Sequence, residues 1–301
     1  MLFRSILLPG VIGPTVGAAI VVGLWAAAGG SGRLKGVGGG QAVAAAFLVA
    51  FVGLTGWPRW PPVEATQRLF FLVGLAGLMT VVAAVLGRTL ARPLRWAFGL
   101  AMVGLLTQPL REHSWSSGES ATWVIGLCLV FVLVEAAVAA GTTDADEEGG
   151  TLVRALVLLA LLGGTTLVLG LSGSARLAQL LGAVACGAAV AETAARLRGR
   201  AAWSGSDLPI VALVVSGLIL CGYLYASLAA WPAVLGVAAF ALVGLTTRGG
   251  LAWRLVPLVP LVIAVTLVVV AFLGREEDPY GNYYGSIAPA AAAPQLDGLR
   301  G

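Results

Sequence analysis

Charge is what this sequence most lacks. Charged side chains are 11% of the 301 residues, against the ~25% usual for a soluble domain. A water-soluble fold of this size could not cover itself with so few charges, whereas lipid as solvent removes the need. Histidine is nearly absent too, with His113 the only one. Cysteine is limited to Cys128, Cys186 and Cys221, all inside apolar runs and without CxxC or metal-ligand spacing. This excludes a disulfide framework and a histidine- or cysteine-built metal centre, and the three thiols read as small packing residues. Lysine is limited to Lys35. That bias toward arginine, together with abundant alanine and glycine, suggests a bacterial gene of high GC content.

Long apolar runs are present instead, and runs of about 17–25 residues are the mark of membrane-crossing helices. The first is Ser5–Gly29, too long and too interrupted by Pro9 and Pro14 for a cleaved signal peptide. Next come Gln41–Gly56, Leu69–Gly87, a short Leu94–Gln108 and Ala121–Ala140, then Leu152–Leu171 and Ala175–Ala191. Leu208–Thr247 is 40 residues without a charge, twice the length needed to cross, so it must fold back, and Trp231-Pro232 is the expected turn. Leu251–Leu273 closes the series. The fold class expected is therefore all-α, a polytopic transmembrane helical bundle of about ten spans.

The acidic stretch Gly141–Gly150, with Asp144, Asp146, Glu147 and Glu148, divides these spans five plus five. The expected organisation is 1–140 as the first membrane half, 141–150 as the acidic linker, 151–273 as the second half and 274–301 as a disordered tail. The linker lacks the mid-loop glycine and terminal bidentate glutamate of a calcium loop, so it reads as solvated. The glycine-rich loop Gly30–Gly40 places Lys35 between Leu34 and Gly36, not in a Gly-Lys-Ser/Thr phosphate cradle, and reads as a flexible loop. Matching motifs between the halves are not found. Span count and length resemble the drug/metabolite transporter layout, although no residue motif carries the likeness.

Lys and Arg near span ends set orientation. Loops after odd-numbered spans carry 11 of them and the opposite side carries 7. The bias places both termini outside a bacterial cytoplasmic membrane, which departs from the transporter layout just named. The nine tryptophans fall at or near span edges, as headgroup anchors do.

Four polar residues are candidates for coupling or for lining a path. Glu135 is an acid well inside a span, and an ionisable group there costs at least ~2.5–3.5 kcal/mol unless it faces water or a partner. Glu192 is the weaker candidate, since Arg196 four residues on makes it first an ordinary helical ion pair. Gln108 and Gln179, like Thr80, Thr107, Thr165, Thr166, Ser216 and Thr266, can hydrogen-bond across helices or to their own backbone. His113 with Ser114, Ser116, Ser117 and Glu119 has the residue types of a hydrolase, but a loop offers no oriented base. No catalytic residue, metal site or cofactor is therefore expected.

Two functions fit. One is a small-solute permease with a path between the halves and Glu135 as the coupling group. The other is a non-catalytic membrane subunit or scaffold acting through membrane protein partners or as a homo-oligomer. The lipid bilayer is the expected surrounding in both, and nucleic acid is not an expected partner.

Overall fold

Without water to satisfy them, backbone N–H and C=O groups pair within the segment, and the apolar runs fold as helices. The computed structural model describes residues 10–27, 39–86, 88–140, 148–197, 207–226, 228–243 and 251–274. In chain order these form α1 (Gly13–Ala27), α2 (Gly39–Thr55), α3 (Ala65–Leu86), α4 (Arg88–His113), α5 (Ser117–Ala140), α6 (Glu148–Leu171), α7 (Ala175–Arg196), α8 (Asp207–Tyr225), α9 (Ala230–Val243), α10 (Leu251–Leu255) and α11 (Leu258–Leu273). No strand occurs among the described residues. Three stretches are long and apolar enough to cross a membrane: Ser117–Val134, Ala175–Arg196 and Trp253–Leu273. The glycine-rich loop up to Gly38, the acidic linker up to Glu147 and the tail beyond Gly274 lie outside the described residues, while Gly39 and Gly40 already belong to α2.

Helix ends differ from the apolar runs in an instructive way. The expected loop Arg88–Arg95 and short span Leu94–Gln108 are instead one 26-residue helix, α4, with Pro93 and Pro109 inside it. Hydropathy marks where the chain is apolar, whereas a helix ends where its hydrogen bonds run out. At 1.5 Å per residue α4 is ~39 Å long, but it is not among the three stretches long and apolar enough to cross. The expected polar loop Pro109–Ser120 shrinks to the three residues between α4 and α5.

The uncharged 40-residue run does fold back, but earlier than Trp231-Pro232. It turns after Tyr225, where Ala226 and Leu228 both donate to the Gly222 carbonyl (3.1 Å each). Pro232 sits in the first turn of α9, where a missing N–H leaves no helical bond unmade. The expected span Leu251–Leu273 is interrupted at Val256-Pro257, between α10 and α11.

Two turns end on glycine for a conformational reason. Gly173 has φ +99° and closes α6. Its N–H donates to Gly170 O (3.2 Å) and that of Ser174 to Leu169 O (3.1 Å), the paired bonds of a Schellman cap. Gly56, at φ +81°, ends α2 with a single bond to Val52 O (2.9 Å).

The core runs through both halves. Phe47, Leu69, Met102, Leu161, Leu180 and Leu218 belong to one continuous buried cluster. α2 is its hub and packs most extensively on α7. Gly187 of α7 permits this: a Cβ there would stand 2.8 Å from Ala46 Cβ and 2.9 Å from the Ala42 carbonyl oxygen. Small residues on both helices bring backbone against backbone, as tight intramembrane helix pairs do. Across the other side of the bundle, α5 packs on α8 and α9.

The antiparallel run of helices gathers alternate turns at one end. There Arg176, beginning α7, lies 3.8 Å from Glu64, just before α3. The α2–α3 segment also supplies Trp57 and Trp60, whose rings meet Phe70 and Phe71 edge-on at 6.2 and 5.3 Å.

Candidate functional site

Pro109 organises the polar part of this end. In a helix its N–H would bond to Leu105 O, four residues back, but proline has none. Arg68, in the first turn of α3, donates Nη1–H to that carbonyl at 2.8 Å. The same nitrogen reaches Gln108 Oε1 at 3.1 Å. Gln108 then donates Nε2–H to Glu112 Oε1, one turn on, at 2.7 Å. The amide therefore relays between a cation and a carboxylate that do not touch. Tyr225, ending α8, donates its hydroxyl to the neighbouring Leu106 carbonyl. Three helices are tied at one proline.

The next turn is a helix cap. Ser116 precedes α5, its hydroxyl accepts from the Glu119 N–H (3.3 Å), and Glu119 Oε2 accepts from the Ser116 N–H (3.0 Å) and hydroxyl (2.9 Å). This is a capping box. His113 Nδ1 lies 3.1 Å from the Pro109 carbonyl in the last turn of α4. Serine and glutamate are thus committed to ending one helix and starting another.

A groove of about 510 Å³ lies between α5, α8 and α9. One face of each helix lines it at helical spacing: Trp123, Leu127, Val130 and Val134 of α5; Ser216, Ile219, Leu220 and Tyr223 of α8; Ala230, Ala233, Val237 and Ala241 of α9. Alanines on α9 and Gly126 on α5 leave the space that larger side chains would fill. The rim is exposed and apolar, with Leu133 67% and Val234 57% accessible. Trp123 and Tyr223 meet at one end, ring centroids 5.9 Å apart. Among the described residues no charged one lines the groove.

Ser216 adds a hydroxyl deep in a lining whose other polar groups are the Tyr223 hydroxyl and Trp123 indole N–H. It is 3% exposed, and its hydroxyl has no hydrogen-bond partner among the described residues. The threonines behave differently. Thr107 and Thr165 donate to the carbonyls of Val103 (2.8 Å) and Leu161 (2.7 Å), each four residues back. Thr166 and Thr266 do the same to Leu162 and Val262 (2.8 Å each). Such back-bonding satisfies a hydroxyl inside its own helix and removes these four threonines from consideration as path-lining groups.

The four sequence candidates are placed separately. Gln108 joins the Pro109 cluster. Glu192 pairs with Arg196 on α7, one turn apart. Gln179 is half-buried near the start of α7. Glu135 lies in α5 immediately after groove-lining Val134, its side chain outside the described residues. Thr80 likewise has a helical backbone and a side chain outside the description. Among the described residues no three His, Cys, Asp or Glu are grouped as metal ligands would be.

Sequence reasoning missed Arg68, Glu112, Tyr225 and the Trp123–Tyr223 pair. Gln108 and Glu112 stood at helical i,i+4 spacing, a readable signal hidden by taking Pro109 as the start of a loop. Arg68 and Tyr225 left no local trace, because their partners are 37 and 119 residues away.

No protein-family model matches the chain, and no curated protein and no solved structure is similar to it.

Proposed function

We propose that this chain is a ten-span integral membrane protein of a bacterial cytoplasmic membrane, both termini outside, that carries a small solute of largely apolar character. The observation that carries the reading is the α5–α8–α9 groove. Its volume is within the ~300–1,000 Å³ of small-molecule sites, and its exposed apolar rim suits loading from the lipid side. Glu135, next along α5 from the groove wall, is the coupling carboxylate in this scheme. Tyr225 ties α8, one wall of the groove, to α4 beside Pro109, so movement of α4 there would be felt in the groove.

The test is proton movement in proteoliposomes holding an internal pH-sensitive dye, on addition of a ten-carbon methyl ketone. Wild type should move protons above the protein-free baseline, whereas Glu135→Gln and the groove-filling Val234→Trp should not. Full activity in Glu135→Leu would remove the coupling role, and baseline behaviour of wild type would remove the permease reading.

A second reading, a non-catalytic subunit or scaffold acting through membrane protein partners, is favoured by the interlocked packing of the halves at Gly187 and by threonines turned back into their own helices. Stable co-purification of one stoichiometric membrane partner, with no proton movement, would establish it instead.

A further inference from the structure

We infer that the α5–α8–α9 groove binds a neutral, mostly apolar molecule carrying one hydrogen-bonding oxygen, and that the Ser216 hydroxyl is the group that receives it. The inference rests on the membrane reading above and on two independent features of the groove.

The first feature is charge. Among the described residues the lining contains no acid or base, and a charged guest would have to leave water with no counter-charge from them to meet it. The guest is therefore neutral. A guest of hydrocarbon alone would fit the alanine and leucine walls equally well but would not explain Ser216.

The second feature is that hydroxyl. A buried polar group without a partner is costly and rare, and the two buried threonines, Thr107 and Thr165, both bond to their own helix. Ser216 does not, although it is 3% exposed and lines the groove. A carbonyl or hydroxyl oxygen on a guest would take that bond. Position along α8 gives the guest its shape. Ser216 is seven residues from Tyr223, hence ~10 Å from the Trp123–Tyr223 end of the groove. Aromatic pairs of this kind sit at the headgroup level. The oxygen that meets Ser216 is therefore deep, about 10 Å inside that level, and apolar chain or ring extends from it toward the aromatic pair. A lipid ester carbonyl, which stays near the headgroups, does not fit this depth, whereas an oxygen placed part-way along a chain does.

The experiment uses the full chain in lipid nanodiscs, without any gradient. Two photoactivatable probes of equal length are compared: a sixteen-carbon ketone with its carbonyl mid-chain, and the corresponding alkane, each bearing a terminal diazirine. Labelled peptides are read by mass spectrometry. In wild type the ketone should label α5 and α9 peptides about fivefold more than the alkane, the discrimination one net hydrogen bond provides. Ser216→Ala should bring that ratio to about one while the thermal midpoint in ketone-free discs stays equal or rises, since no protein bond is lost. Val234→Trp should suppress both probes, and Ala233→Leu replaces it if that variant does not fold. A ratio near one in wild type, a ratio unchanged by Ser216→Ala, or labelling indifferent to groove filling would each overturn the inference. Failure here with proton movement intact sinks the ligand assignment alone. A fivefold ratio without proton movement sinks the permease reading alone.

Discussion

Arg68 donates to the backbone carbonyl that Pro109 leaves without its helical partner. The 2.8 Å bond from Nη1 to Leu105 O replaces the one proline cannot make. An interior proline normally costs ~3 kcal/mol or more, partly through that orphaned carbonyl. Here a charged donor from α3 recovers part of the loss, and bonds to charged groups are the stronger kind, ~1.5–3 kcal/mol.

A double-mutant cycle follows from this pairing. Arg68→Met should lower stability by about 1.5–3 kcal/mol, because a carbonyl and the Gln108 amide both lose their donor. Pro109→Ala restores the N–H, so the same arginine change on that background should cost clearly less. The check is thermal unfolding of the four proteins in detergent, and a coupling energy of at least ~0.5 kcal/mol is expected. Strict additivity would show that the bond contributes nothing.

Glycine replacements should sort by geometry. Gly173→Ala places a side chain at φ +99° and should cost roughly 1–2 kcal/mol. Gly163→Ala, in open space on α6, should stabilise by about 0.5–1 kcal/mol through helix propensity. Equal effects at the two positions would contradict the Schellman turn.

The Glu119 cap is tested by substitution. Glu119→Ala removes the acceptor of the Ser116 N–H and hydroxyl and should lower the thermal midpoint. Glu119→Gln keeps an acceptor in the same place and should lower it less. Equal losses in the two variants would show that the carboxyl does not help to start α5.

Accessibility tests the layout. In a background with Cys128, Cys186 and Cys221 replaced, single cysteines at Ser117 and Ser174 should react with an impermeant thiol reagent from outside intact cells, and one at Ala145 should not. The contacts from Glu64 to Arg176 and from Arg68 to Gln108 put the first two positions at one end of the bundle. Opposite labelling of 117 and 174 would break that shared end.

Much of the helical layout could be read from hydropathy, because apolar runs must satisfy their own backbone. Helix ends could not: Arg88–Arg95 looked like a loop because it is basic, and α4 nevertheless begins there. The groove escaped for a related reason. Ala230, Ala233, Val237 and Ala241 stand at helical spacing, but in a chain apolar on every face such a stripe has no contrast. What singles it out is residue size, and its meaning depends on what α5 and α8 place opposite. Ser216 looked like one more hydroxyl among the threonines until each of those described was seen to bond to its own helix.

The seat of Gly187 against Ala42 and Ala46 bears on how the chain is made. α2 emerges from the ribosome some 130 residues before α7, and its buried face stays incomplete until that glycine arrives. Neither half can therefore reach its final packing during synthesis. The early helices must wait, with the Ala42–Ala46 face uncovered, until α7 follows.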